Sequence, residues 1–263
     1  MASGTRPLAL VTGASGGIGT ALARELARHG HDLVLTARSV APMEALAAEL
    51  RALGTVVSVV AADLAQPGAA TSLSDEIASR GLAIDVLVNN AGLGAAGRFD
   101  RIDPVRIGEI VQVNIVALTE LTRLLLPGMI GRGHGRVMLV ASVAGFQPGP
   151  RMAAYFASKA YVLSLGEALA YELRGTGVSV TTLCPGATAT NFFAVAGADN
   201  SAMARRFRRM MPVEEVARLG YRGLAARRRV VITGLMNRLV ALGSRYAPHR
   251  ITLPVTDLLM SQD

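Results

Sequence analysis

Short apolar runs of β-prone composition alternate with helix-like segments along most of this 263-residue chain. The first run, Leu8 to Thr12, leads into a cluster of glycines, and a helical segment, Thr20 to Arg28, follows it. Strands joined by helix-length connections pair in parallel and carry their helices on both faces of the sheet. The alternation therefore predicts an α/β fold, a doubly wound parallel sheet of about seven strands within three α/β/α layers.

The same pattern sets bounds for each element. The predicted strands are Leu8 to Thr12, Asp32 to Ala37, Thr55 to Ala61, Ile84 to Val88, Arg136 to Ala141, Val178 to Leu183 and Val230 to Thr233. The predicted helices are Thr20 to Arg28, Met43 to Leu53, Leu73 to Arg80, Val105 to Met129, Met152 to Arg174 and Val213 to Ala226. We expect one domain, 1–263, in which 187–211 is a loop with short helices over the substrate. The C-terminal extension, 235–263, is predicted to hold at most one amphipathic helix.

Composition argues against several classes of protein. Hydrophobic residues make up 51% of the chain and aromatic residues 4%, which suits a close-packed core of Ala, Val, Leu and Ile. The single cysteine, Cys184, rules out an intramolecular disulfide and agrees with a reducing compartment. Four histidines without ligand spacing predict no metal site. With no signal-peptide pattern and no uncharged apolar stretch of about 18 residues, we expect a cytoplasmic protein.

The net charge of +8 comes largely from arginines in the last quarter of the chain. Basic runs of this length are commonly solvated helix ends, so no nucleic-acid partner is expected. Because Phe207, Met210 and Met211 interleave with one run, peripheral contact with an anionic membrane surface stays open as an alternative. The runs are Arg205, Arg206, Arg208 and Arg209, and Arg227, Arg228 and Arg229.

Tyr155 and Lys159 form a candidate acid/base pair. Lys159 is the only lysine among 27 basic residues and follows Tyr155 by four positions on a predicted helix. That spacing puts phenol and ammonium on one helix face, where a compact cation favours the phenolate. A free phenol titrates near about 10, so acid/base work near neutral pH predicts a lowered pKa for Tyr155.

Ligands of open parallel sheets bind outside the carboxyl ends of the strands. After the first strand, Gly13, Gly17 and Gly19 let the backbone approach a pyrophosphate at the N-terminus of the next helix. After the second strand, Arg38 stands where a carboxylate would bind the ribose hydroxyls of NAD. An arginine there favours the 2′-phosphate of NADP(H) over NAD(H), whereas a solvated surface arginine is the alternative interpretation.

The ends of the fourth and fifth strands are polar as well. Asn89 to Gly92 follows the fourth strand and suits contact with neighbouring backbone or a ribose, although such residues are also common turn formers. Ser142 comes directly after the fifth strand, 13 residues before Tyr155, and we interpret its hydroxyl as facing the same cleft.

Taken in order, these motifs resemble the short-chain dehydrogenase/reductase family, whose members have a Rossmann fold. The resemblance runs from about Pro7 to Met211, and it implies hydride transfer between NADP(H) and a ketone, aldehyde or secondary alcohol. The motifs are Thr12-Gly13-Ala14-Ser15-Gly16-Gly17-Ile18-Gly19, Asp63-Leu64, Asn89-Asn90-Ala91-Gly92, Asn114, Ser142, Tyr155-Phe156-Ala157-Ser158-Lys159, and Pro185-Gly186 with Thr188 and Thr190.

The resemblance also implies roles. Tyr155 would protonate the carbonyl oxygen and Ser142 would hydrogen-bond it, while Lys159 would bind the nicotinamide ribose and lower the Tyr155 pKa. Asn114 would order a water in a proton relay, and Ser15 is neutral where many NADP-using relatives carry a basic residue. The implied cofactor-binding set is Gly13, Ser15, Gly16, Gly17, Ile18, Gly19, Arg38, Ser39, Asp63, Leu64, Asn90, Ala91, Gly92, Tyr155, Lys159, Pro185, Gly186, Thr188 and Thr190.

Asp63 and Leu64 would flank the adenine, and Thr188 or Thr190 would hold the carboxamide. Family members commonly pair through the two long helices, so a homodimer or homotetramer is expected. The pocket is predicted to accept a small hydrophobic carbonyl or alcohol. Its expected lining is Leu93, Ser142, Ala144, Phe146, Met152, Tyr155, Phe192 and Phe193.

Two other functions fit parts of the pattern. The glycine turn also matches G-x-S-x-G, the nucleophile elbow of an α/β hydrolase with Ser15 as nucleophile, but neither His134 nor His249 is well placed downstream. A nucleotide-sensing protein would keep the fold without the chemistry. The intact set of Ser142, Tyr155 and Lys159 argues against that sensor.

Overall fold

Seven parallel strands form the sheet, in the order β3-β2-β1-β4-β5-β6-β7. The structure is a computed structural model that describes residues 6–198 and 210–261, apart from the side chains of Phe193 and Arg245. The chain begins in the middle of the sheet, builds one half outward and then returns to build the other. The strands are β1 Leu8–Thr12, β2 Asp32–Ala37, β3 Val57–Ala61, β4 Val86–Asn89, β5 Gly135–Val140, β6 Val178–Cys184 and β7 Val230–Ile232.

Helices cover both faces of the sheet. Buried side chains of α1, α2 and α8 join one core cluster, and those of α3, α5 and α6 join a second cluster on the opposite face. The central strands are apolar on both sides for this reason. The described helices are α1 Gly17–Arg28, α2 Val40–Ala52, α3 Ala69–Ser79, α4 Pro104–Val111, α5 Leu118–Gly131, α6 Ala153–Glu172, α7 Phe192–Val195, α8 Val213–Ala225, α9 Leu235–Tyr246 and α10 His249–Met260.

The order of the strands reverses beside β1, which pairs with β2 on one side and with β4 on the other. At such a point the connections leave in opposite directions and open a crevice at the carboxyl ends of the strands. The predicted fold class is confirmed, and each predicted strand lies within two residues of its observed bounds. The crevice is therefore the place where the candidate site residues should meet.

The long helix predicted from Val105 to Met129 is not regular in the structure. A π-helical segment, Gln112–Ala117, joins α4 to α5. Asn114 lies in this segment, is buried, and bonds through its side chain to the backbone of Leu93. Short π-helical segments are frequent at functional sites, and hydrophobic periodicity does not reveal them.

The C-terminal extension also differs from its prediction, because it forms two helices, α9 and α10. Both pack on the edge of the crevice. Asn237 of α9 lies against Gly186, where an added Cβ would overlap the amide of Asn237. Arg151 Nε donates to Asp257 Oδ1 of α10 at 2.8 Å. The pattern failed here because most apolar residues of these helices face outward rather than inward.

One helical stretch, Pro104–Gly131, is long and apolar enough by length and composition to cross a membrane. Several of its apolar residues, among them Val113, Leu121 and Met129, are buried in the second core cluster. Core helices of soluble proteins pass the same test, so the stretch alone carries no membrane assignment.

Gly166 allows α6 to lie close to β6. An added Cβ would overlap the hydroxyl of the buried Thr182. We expect Gly166→Ala to lower the free energy of unfolding by about 1–3 kcal/mol, measured by urea unfolding. Gly108→Ala is the matched control, because this helical position has open space for a methyl group. The substitution should raise the free energy of unfolding by up to about 1 kcal/mol. Equal effects of the two substitutions would contradict the close packing.

Candidate active site

The turn after β1 is a cradle made of backbone. Gly13 has a φ of 66°, and an added Cβ there would lie 2.9 Å from Ala91 Cα. At Gly19 an added Cβ would overlap the Gly13 carbonyl oxygen. Asn90 Nδ2 donates to the carbonyl oxygens of Thr12 at 2.9 Å and Gly13 at 3.2 Å. Asn90 therefore holds the turn in place, while Thr12 is a buried support residue absent from the predicted set.

The N-terminus of α1 is open toward the crevice. Gly16 is the N-cap residue of α1 and supplies no side-chain hydrogen bond to the helix. The first turn of α1 carries no acidic residue. The place of a Cβ on Gly16 has no atom within 4 Å, and Ser15 beside it is exposed. Free amide groups and the positive end of the helix dipole attract a phosphate. The residues present therefore fit the pyrophosphate of a dinucleotide.

The ends of β2 and β3 carry a cation and a carboxylate side by side. Arg38 directly follows β2, and its Nε lies 4.0 Å from Asp63 Oδ1. The side chain of Arg38 is exposed and that of Asp63 is half-buried, so this ion pair is weak and leaves the guanidinium available to a phosphate. Ser39 is exposed at the N-terminus of α2, and Leu64 is buried behind Asp63. This rim suits an adenosine that carries a 2′-phosphate.

Tyr155 and Ser142 meet at the carboxyl edge of the sheet. Ser142 follows β5, accepts a hydrogen bond from Ala144 N at 3.1 Å, and donates to Pro185 O at 3.4 Å. Burial raises the pKa of Tyr155 to about 12, and a hydrogen bond with the Ser142 side chain counters part of this rise. The lowered pKa predicted for Tyr155 is thus not found in the protein alone, because burial outweighs the hydrogen bond with Ser142.

Lys159 lies on the same helix face as Tyr155, with its Nζ 5.8 Å from the centre of the phenol ring. The side chain is 5% exposed, and Nζ donates to Val140 O at 2.8 Å. Burial lowers the pKa of Lys159 to about 8. An ammonium has three donors, so two are left for a ligand or water. An added Cβ on Gly92 would lie 3.4 Å from Nζ, so the backbone of Gly92 runs directly beside the ammonium.

Asn114 connects α6 to the segment after β4. Its Oδ1 accepts from Leu93 N at 2.8 Å, and its Nδ2 donates to Leu93 O and to Ser158 Oγ, each at 2.9 Å. Oδ1 also lies 3.5 Å from the place of a Cβ on Gly92, a point that is 3.4 Å from Lys159 Nζ. A carbonyl oxygen accepts a second hydrogen bond, so a relay water fits here; that role stays a prediction.

The loop after β6 reaches across the crevice. An added Cβ on Gly17 would lie 3.0 Å from Thr190 Cγ2, so this loop touches the glycine turn. Thr188 Oγ1 donates to Gly186 O at 2.9 Å, and Thr190 Oγ1 accepts from Phe192 N at 3.2 Å. Both hydroxyls support the loop itself. Contact of Thr188 or Thr190 with a carboxamide stays a prediction.

An apolar cluster borders Tyr155, whose ring centre lies 5.0 Å from that of Phe192. Leu93 and Phe146 pack against the second core cluster instead, and the side chain of Phe193 lies outside the described residues. Met260 joins from the last turn of α10, and no sequence pattern relates that distant position to the pocket. The cluster is Ala144, Met152, Phe156, Ala196, Ala198 and Met260, with Ala96, Tyr155 and Phe192 against it.

Ser15 is not arranged as a hydrolase nucleophile. Rings of His29, His31 and His134 bond to groups away from the glycine turn, and His249 begins α10 in the C-terminal extension. Across residues 6–198 and 210–261, no three potential metal-binding side chains cluster. The geometry therefore offers neither a base for Ser15 nor a metal centre.

The family model for short chain dehydrogenases matches residues 7–201. The chain belongs to the short-chain dehydrogenase/reductase family. This confirms the resemblance to a family of oxidoreductases.

Three known members of the family set the context. Ketoacyl reductase HetN of Nostoc sp. is 36% identical over 177 residues, which are 67% of this chain and 62% of that protein, so less than two thirds of its length is covered. A short-chain dehydrogenase from Sphingobium yanoikuyae in complex with NADPH is 36% identical, with a TM-score of 0.81 and coverage of 90% of this chain and 92% of that one. A relative from Burkholderia phymatum in complex with NAD is 28% identical, with a TM-score of 0.83 over 92% and 94% of the two chains.

Proposed function

We propose that this dehydrogenase/reductase uses NADP(H) to interconvert a hydrophobic ketone or aldehyde and the corresponding alcohol in the cytoplasm. The observation that carries the proposal is the meeting of Tyr155, Ser142 and Lys159 between the open N-terminus of α1 and the apolar cluster. The name of the Nostoc relative, a ketoacyl reductase, supports a carbonyl on an apolar chain.

The side chains divide the work of proton transfer. A bound nicotinamide supplies or accepts the hydride. With a pKa of about 12, Tyr155 is protonated at neutral pH and ready to donate its proton to a carbonyl oxygen. The single Ser142 O–H, which donates to Pro185 O at 3.4 Å, would turn to donate a second hydrogen bond to the same oxygen. Lys159, with a pKa of about 8, is mostly cationic at neutral pH and stabilises the phenolate left after transfer.

Arg38 is the residue that we propose selects NADP(H), because relatives are found with either dinucleotide. Arg38→Ala should weaken NADPH binding about 10- to 100-fold and change NADH binding little, since a charge-assisted contact to the 2′-phosphate is lost. Isothermal titration with both dinucleotides measures the two affinities. Arg80→Ala, in an exposed pair with Glu76, is the control. Equal losses for NADPH and NADH would count against this role.

NADPH oxidation with a panel of aliphatic and aromatic ketones and aldehydes tests the proposed activity directly. Turnover on hydrophobic carbonyls is the expected result. Tight NADPH binding without turnover on any member of the panel would favour a nucleotide sensor instead. A substrate preference for small polar carbonyls would contradict the apolar pocket.

We also propose that the protein is a homodimer or homotetramer that pairs through α5 and α6. Both helices present large apolar side chains to solvent, Leu124 and Ile130 on α5, and Tyr161 and Tyr171 on α6. Such residues on neighbouring long helices are suited to a subunit interface. Light scattering coupled to size exclusion measures the mass that tests this pairing.

A further inference from the structure

The two helices of the C-terminal extension turn several small polar side chains inward. Ser244 of α9 donates to Gln147 Oε1, and Gln147 Nε2 donates to Thr256 of α10 at 3.2 Å. Thr252 and Thr256 are buried in the contact with the body of the protein. A surface helix normally buries its apolar face and exposes its polar one. In α9 and α10 that arrangement is inverted.

The outward surface of α9 and α10, here called the tail face, is correspondingly apolar. Leu235 and Met236 are 73% and 67% exposed at the start of α9, and Leu258 is 65% exposed on α10. So many exposed large apolar side chains on two consecutive helices indicate a binding site for an apolar partner. The large apolar residues of the tail face are Leu235, Met236, Leu239, Val240, Leu242, Tyr246, Ile251, Leu253, Val255 and Leu258.

The charge of the chain indicates which partner this is. Residues 1–200 contain 15 basic and 15 acidic residues, whereas 201–263 contain 12 basic and 4 acidic ones. The entire excess positive charge therefore belongs to the C-terminal quarter. Arg238 and Arg250 are exposed on α9 and α10 themselves. A second copy of this chain would place arginines against arginines, but an anionic lipid surface offers both the apolar layer and the opposite charge.

The tail face is fixed to the pocket and not loosely appended. Arg151, next to pocket residue Met152, bonds Asp257 of α10 at 2.8 Å. Met260 of the same helix is 4% exposed within the apolar cluster beside Tyr155. A membrane surface that contacts α10 would therefore lie close to the place where a hydrophobic substrate would bind.

We propose that the tail face docks on an anionic lipid bilayer, with its apolar side chains in the interfacial layer and its arginines at the lipid headgroups. This docking is separate from the proposed catalytic activity and does not require turnover. Lipid-dissolved carbonyl compounds would then meet the pocket at the membrane surface.

Flotation of the full chain with vesicles tests the docking. We expect binding to vesicles of phosphatidylcholine and phosphatidylglycerol at 7:3 by weight, and little to pure phosphatidylcholine. The Leu235→Gln/Met236→Gln variant should bind at least about fivefold more weakly, since both side chains leave the apolar layer. Arg238→Gln/Arg250→Gln should weaken binding roughly 20-fold. Salt at 0.5 M should weaken wild-type binding as well.

Leu53→Gln/Val56→Gln is the matched control, because these two residues are also 73% and 67% exposed but lie on the connection between α2 and β3. It should bind like the wild type. Absence of flotation, or binding that does not depend on phosphatidylglycerol, would overturn the proposal. So would an equal loss of binding in Leu235→Gln/Met236→Gln and in the control Leu53→Gln/Val56→Gln. Conversion of an oligomer to monomers by Leu235→Gln/Met236→Gln would overturn it too, because the tail face would then be a contact between subunits.

Discussion

Tyr155→Phe is expected to lower kcat/KM for carbonyl reduction by on the order of 10²- to 10⁴-fold. The substitution removes one hydroxyl and keeps the ring, whose centre lies 5.0 Å from that of Phe192. NADPH affinity should change little, because the phosphate and adenosine sites lie on other elements. The loss should therefore fall on kcat, measured by NADPH oxidation, with binding followed by NADPH fluorescence.

Tyr221→Phe is the control for loss of a phenol hydroxyl. Tyr221 lies away from the crevice and stacks on His29, with the two ring centres 3.9 Å apart. It should keep wild-type turnover. If Tyr155→Phe also kept it, Tyr155 would not be the proton donor. If Tyr155→Phe instead abolished NADPH binding, its role would be in the fold of the pocket rather than in proton transfer.

Lys159→Met should produce the second large loss, about 10²-fold or more in kcat/KM, because the phenolate formed at Tyr155 loses the cation 5.8 Å from its ring. The group lies in a tight space between Val140 O and Gly92. A planar guanidinium does not fit the space of an ammonium, so Lys159→Arg should not restore activity. Retained activity in either variant would contradict the role of Lys159.

Lys159 should also make the free energy of unfolding depend on pH. Burial holds the pKa of Lys159 at about 8 in the folded protein. On unfolding, this pKa returns to its ordinary value of about 10.4. Between these values the unfolded chain binds the proton more tightly, so the stability of the wild type rises with pH. The difference in free energy of unfolding, wild type minus Lys159→Met, should rise by about 1–3 kcal/mol from pH 7.5 to 10.

Urea unfolding across that pH range measures this difference. The comparison isolates the effect of Lys159, because it is the only lysine of the chain. Tyrosines other than Tyr155 titrate equally in both proteins. A difference that stays flat with pH would show that the ammonium is not buried as described.

The sequence predicted those parts of the molecule that depend on local pattern. Buried parallel strands are continuous apolar runs, and the residues after them, such as Gly13 and Ser142, are confined to one edge by the topology alone. Tyr155 and Lys159 share a face because a helix has a fixed period. The meeting of these groups in one crevice follows from those two regularities, whereas the order of the strands comes from the structure.

Other features depend on distant packing, and no local pattern encodes them. The contact of Met260 with the pocket joins the end of the chain to α6. The π-helical turn at Asn114 shows itself only through the bonds to Leu93. The rise in the pKa of Tyr155 comes from burial, which helix spacing does not reveal. The inverted helices α9 and α10 misled the prediction because their apolar residues face solvent.

A crystal structure of the protein with NADPH tests the central claim most directly. We expect the nicotinamide ring between Tyr155 and the apolar cluster, with Lys159 Nζ on its ribose and the pyrophosphate at the N-terminus of α1. The 2′-phosphate should lie on Arg38. A dinucleotide bound elsewhere, or a nicotinamide ring that points away from Tyr155 toward solvent, would contradict the assignment of this crevice as the active site.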